Sequence, residues 1–122
     1  MMTPVARGVY LADVNGLVPY RDTKHCVCVS AGGGRYFLVN TIHRDEYNDF
    51  TIKASDYPFL NGKDRCVACL QWVAIPNDRL LRQVGTLSDA DAKTVYEKVQ
   101  ASKKIKKSVK TEILDELWKT FI

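Results

Sequence analysis

The chain has 122 residues, of which 46% are apolar and 26% charged, and its net charge is +4. That length and balance fit one domain, residues 1–122, with a single core that needs no disulfide staples, and they exclude a disordered or fibrous chain. No run reaches the roughly 18 apolar residues of a membrane-spanning helix, and Met1–Arg7 lacks the apolar stretch of a secretion signal, so a cytoplasmic location without membrane contact is expected.

The elements follow in chain order. Residues 7–13 predict a first strand, and Asn15-Gly16 a turn. Residues 25–31, His-Cys-Val-Cys-Val-Ser-Ala, are β-favouring and apolar at odd and even positions alike. That pattern predicts a strand covered on both faces. Gly32-Gly33-Gly34 then permits a tight hairpin, with Arg35 to Ile42 as the return strand. Residues 43–49 form a polar loop, and Phe50–Lys53 a short strand. Two turns, at 55–58 and 60–64, precede strands at 65–70 and 72–75, readable as one bent strand. Pro76 ends that pairing because it offers no N–H, and 77–79 predict a helical turn running on through Leu80 and Leu81.

Two helices close the chain. Ser88-Asp89-Ala90-Asp91 has capping-box form, and Ala92, Val95, Tyr96 and Val99 follow at helical spacing. In the second helix Val109, Ile113, Leu114, Leu117, Trp118 and Phe121 make one stripe, with Glu112, Asp115, Glu116 and Lys119 on the face away from it. The stripe reads as core, or at its Trp118 end as a partner surface. The whole predicts a β-dominated α+β fold: a small antiparallel barrel of five to six strands over about 5–87, with helices over about 88–121.

Lys103, Lys104, Lys106, Lys107 and Lys110 lie within eight residues. They read either as a solvated helix start or as a phosphate-binding cluster, and a pI near 8.9 permits nucleic acid without demanding it. The cysteines Cys26, Cys28, Cys66 and Cys69 read as packed thiols or as a four-thiolate zinc site. Strand geometry favours packing, since Cys66 and Cys69, three apart, point to opposite faces of a regular strand.

Lys24–Ser30, Leu38–Thr41 and Arg82–Asp91 together resemble the PemK/MazF (Kid/CcdB-type) toxin family. In that family a basic segment reads Arg-Pro-apolar-apolar-apolar-Ser, a later strand ends in a hydroxyl residue, and Gly-x-Leu-Ser opens the last helix. The resemblance implies an SH3-like barrel, a homodimer and metal-independent cleavage of single-stranded RNA through 2′-hydroxyl attack, with no cofactor. Lys24 stands where the motif has Arg, and His25 where it has Pro. Thr41 matches the hydroxyl. Lys brings charge without the bidentate fork of Arg, and Arg21 is placed to supply it from the loop. His25 or His43 would act as general acid or base; each also reads as a packing or solvated residue. Arg44 and the loop to Asn48 would shape access. Two functions are open on this basis. One is a non-catalytic binding or inhibitor module of phage or mobile-element type, meeting RNA or a protein partner (an antitoxin or host target) through Lys103–Lys110 or Trp118. The other is an endoribonuclease toxin. A small zinc module is a third possibility.

Overall fold

The computed structural model describes residues 2–122. Seven antiparallel strands and two C-terminal helices make a β-dominated α+β fold: β1 (Gly8–Asp13), β2 (Thr23–Ser30), β3 (Arg35–Asn40), β4 (Phe50–Ile52), β5 (Arg65–Val67), β6 (Val73–Ala74), β7 (Leu80–Thr86), α1 (Asp89–Ala101) and α2 (Lys107–Lys119). The strand order is β4-β5-β3-β2-β1-β7, with β6 beside β3.

The sheet does not close into a barrel, because β4 and β7 end the ladder without pairing to each other. Side chains span the opening instead. Phe59, on the short 3-10 turn between β4 and β5, lies edge-on to His25 of β2 at 5.0 Å. It also packs so close to β7 that a Cβ on Gly85 would meet its ring at 3.4 Å. The expected bent strand over 65–75 is two short pieces, β5 and β6, which share the outer edge of β3: β5 pairs with Val39 and Asn40, β6 with Arg35 and Tyr36. Leu80 and Leu81 are not helical but begin β7, which pairs with β1 across two register shifts. The 3-10 turn is confined to Asn77–Arg79.

Alternation along the central strands divides the interior in two. Val9, Val27, Val29, Phe37 and Val39 face the helices, where Val95, Val99, Val109, Ile113 and Leu117 cover them. Tyr10, Cys26, Cys28 and Tyr36 face the other way, beneath Ile75 and Leu80. The strand predicted to be apolar on both sides is therefore buried on both. Cys26, Cys28 and Cys69 are packed thiols, the first two in one cluster and Cys69 in the other, so four-thiolate convergence is excluded; Cys66 is also buried but belongs to neither cluster. Burial pushes the thiols of Cys26, Cys28 and Cys69 up to about 12.

Among the described residues three polar or charged ones are buried: Arg7, Ser30 and Asp49. Ser30 ends β2 under α2. Its hydroxyl faces Glu112 at 2.6 Å and Glu116 at 2.5 Å, donating to one at a time, while Glu116 accepts from the Ala31 N–H and Glu112 from Arg35. The two glutamates expected to face away from the core thus pin α2 to the β2–β3 hairpin. The Ser30 hydrogen bond, then Arg35, holds the Glu112 carboxyl below its usual range. Ser88 caps α1 as predicted, accepting from the Asp91 N–H. The reciprocal arm is relayed, however: the Tyr57 hydroxyl accepts from the Ser88 N–H and donates to Asp91 at 2.5 Å.

Arg7 joins β2, the start of α1 and the end of α2. Its N–H donates to Cys28 and its carbonyl accepts from Leu87. Its guanidinium donates to the Leu87 carbonyl at 2.8 Å, to Asp89 at 2.7 Å and to Thr120 at 3.4 Å, and it lies over the Phe121 ring. Arg7→Ala is expected to destabilise the fold by about 3 kcal/mol, since it strands buried carbonyls and removes charge-assisted hydrogen bonds. Urea unfolding measures this; a loss below about 1 kcal/mol would show that the guanidinium is dispensable.

Candidate nucleic-acid groove

The even positions that face the second core layer run on, past the end of that layer, into a groove. Lys24 lies two residues before Cys26, and Leu38 and Asn40 lie two and four after Tyr36, so all three point to the same side. The loop before β2 adds Tyr20 and Arg21. The chain leaving β3 adds Thr41, Ile42, Arg44 and Tyr47, and Leu70, Gln71 and Val73 close the far wall. The groove encloses about 470 Å³, within the several hundred cubic ångströms typical of small-ligand sites. It is large enough for a base with its phosphate, and not merely an ion.

Its charge is one-sided. Arg21, Lys24 and Arg44 line it, and no carboxylate or histidine does. Among the described residues Arg21 and Lys24 form no ion pair. The Arg44 guanidinium pairs with Glu46 at 3.7 Å. Partial burial, and after it the Arg21 charge, lowers the Lys24 pKa: two cations are crowded at the rim without an anion between them. Tyr20 is fully exposed, with a left-handed backbone (φ 62°), and Tyr47 is half-buried beneath Arg44. Thr41 is exposed on the same wall.

Of the residues expected to share one site, the structure gathers Arg21, Lys24, Thr41 and Arg44, and separates both histidines from them. His25 follows Lys24 in β2 and so projects from the opposite face, against Phe59. Partial burial, then the charges of Arg82, Arg65 and Lys24, lowers its pKa. His43 lies beyond the groove wall, between Asp49 at Nδ1 and Asp45 at Nε2, 2.8 Å away. The Asp49 hydrogen bond is the main reason its pKa is raised.

The lysine cluster also divides. Lys110 donates to the Ser102 carbonyl at 2.6 Å, closing the end of α1, and so serves the fold. Lys106 and Lys107 are exposed where α2 begins. Lys103 and Lys104 line a separate hollow with Lys98, Asn48 and Leu70. Trp118, 54% exposed, stacks loosely with Tyr96, which also meets Phe121. Sequence reading missed Tyr20, Asn40 and Gln71 as groove residues, while Tyr47 falls in the loop expected to shape access; an exposed Tyr beside Arg21 was the available signal.

Compared with known proteins, the chain matches no family model and no curated sequence.

His25 is expected to titrate by NMR with a midpoint below 6.5. Because the folded value lies below the unfolded one, the stability carried by the neutral ring is intact above about pH 6.5 and declines as pH falls below it. A midpoint at or above 6.5 would place the ring outside the Phe59 contact.

Proposed function

We propose that the groove binds single-stranded RNA and that the protein is a binding or inhibitory module and not a nuclease. The observation that carries this reading is the Arg21–Lys24 pair, two cations held side by side with no acid partner, in a groove that also offers Arg44 and two tyrosines. A positive channel flanked by aromatic rings is how sequence-tolerant single-strand binders work: cations follow the phosphates and rings stack on bases. Thr41, Asn40 and Gln71 add hydrogen-bonding groups for a ribose hydroxyl or a base edge. RNA, and a homodimer, are what the PemK/MazF resemblance adds.

Cleavage is the second reading. Thr41 shares the groove with Lys24 and Arg21, as a phosphorane-stabilising set would require. The groove lining lacks a carboxylate or imidazole to move the proton of the attacking 2′-hydroxyl, so binding is favoured.

Fluorescence anisotropy with a short unstructured RNA tests the proposal. Arg21→Glu with Lys24→Glu is expected to weaken binding on the order of 100-fold, and log affinity should fall against log salt with a slope near about −2 for three cations. Lys106→Glu with Lys107→Glu should leave affinity unchanged. Failure of the native protein to bind removes the proposal. Fragments ending in 2′,3′-cyclic phosphate, formed with EDTA present and lost in Thr41→Ala, would instead establish the nuclease.

A further inference from the structure

Behind the groove wall, the strand ladder brings three donors of different chemistry to one point. Cys66 of β5 pairs with Asn40 of β3 on one side and Thr51 of β4 on the other. His43 lies three residues beyond Asn40, and Asp49 two before Thr51. A His43 ring nitrogen, an Asp49 oxygen and the Cys66 sulfur consequently all lie within 4.8 Å of one another, and it is Nδ1 that faces Asp49. We infer that His43, Asp49 and Cys66 form a binding site for one zinc ion.

The donor set suits the metal. Imidazole, carboxylate and thiolate are the ligands of borderline-soft Zn²⁺, and one carboxylate with one thiolate neutralises its charge. Donors of a tetrahedral site stand about 3.5 Å apart, so side-chain adjustments on the order of 1 Å complete the cage. Water takes the fourth position, beside the Thr51 hydroxyl, 3.9 Å from the sulfur.

The groups around the donors are an independent observation. Metal-bound histidines characteristically donate their other ring N–H to a carboxylate, and ligating carboxylates are themselves hydrogen-bonded. Here the His43 Nε2 meets Asp45 at 2.8 Å, and the free oxygen of Asp49 accepts from the Arg44 N–H at 3.0 Å. The Asp49 side chain is fully buried. That carboxylate otherwise relies on a histidine whose side chain is 58% exposed. Zinc replaces the proton between the His43 Nδ1 and Asp49. The other thiols are no competitors: Cys26 and Cys28 lie in the opposite core layer, and Cys69 donates to the Val67 carbonyl.

The inference rests on residues outside the groove and stands apart from RNA binding. Cobalt(II) is the probe, added to the reduced full-length chain. One equivalent is expected to give visible bands of a four-coordinate ion and a near-ultraviolet thiolate-to-cobalt band. Cys66→Ser should lose the near-ultraviolet band. His43→Gln, which keeps an amide N–H to offer the Asp49 carboxylate, should weaken binding on the order of 100-fold, and Asp45→Asn about 10-fold, with an unchanged circular dichroism spectrum checking that each variant is folded. Elemental analysis of protein purified without chelator should find zinc. No spectral change at one equivalent of cobalt overturns the inference, as does a thiolate band that survives Cys66→Ser, or unchanged affinity in His43→Gln.

Discussion

One arginine near the start of the chain holds the layers together. Arg7 adopts a left-handed backbone, φ 72°, a conformation that costs a non-glycine residue about 1 kcal/mol or more. The surroundings enforce it, because the same residue reaches β2 through its N–H, the start of α1 through its carbonyl, and both helices through its guanidinium. That clasp supplies direction, which the strong apolar contacts between helices and sheet do not fix by themselves. Ser30 adds a second anchor further back along α2, by drawing Glu112 and Glu116 inward. Between these two points the position of α2 is set by directional bonds, and apolar packing fills the space they define.

A period of two along the strands decides nearly everything else. In β2 it sends Val27 and Val29 to the helices and Cys26 and Cys28 to the opposite layer. At the start of the same strand it sends Lys24 to the groove and His25 to Phe59. Core and candidate site are thus one pattern, read at two depths. The open edge of the sheet follows as well. Phe59 and Tyr57 fill the gap between β4 and β7, and the Tyr57 hydroxyl is taken into the cap of α1, so the first helix is positioned by the loop that plugs the sheet.

The sequence was most legible where a local rule suffices. The β2–β3 hairpin, with its glycine turn, shows as alternating and apolar runs around Gly32–Gly34, and both helices show as apolar stripes, the first behind a serine cap. Strand β7 was missed because Leu80–Thr86 is largely exposed on one face; its strand character comes from pairing with β1, a contact some seventy residues away in the chain. The bent strand was over-extended because Ala68, Cys69 and Leu70 look apolar enough to continue it, and only the sharing of the β3 edge divides it. Half of the candidate site could be read from charge, since Arg21, Lys24 and Arg44 are cations near one hydroxyl. The histidines could not be placed by composition, although alternation alone separates His25 from Lys24. The neighbourhood of His43, Asp49 and Cys66 was invisible for a different reason: its members are joined only through the pairing of β3, β4 and β5.

The buried sulfurs carry a further consequence. Alkylating reagents attack the thiolate and not the thiol, and three of these sulfurs, at Cys26, Cys28 and Cys69, are shielded from solvent and held protonated at neutral pH. They lie in both core layers, so neither layer can loosen without uncovering at least one. The chain is therefore equipped with internal sentinels: the pace at which each sulfur is modified reports how often its own layer breathes open.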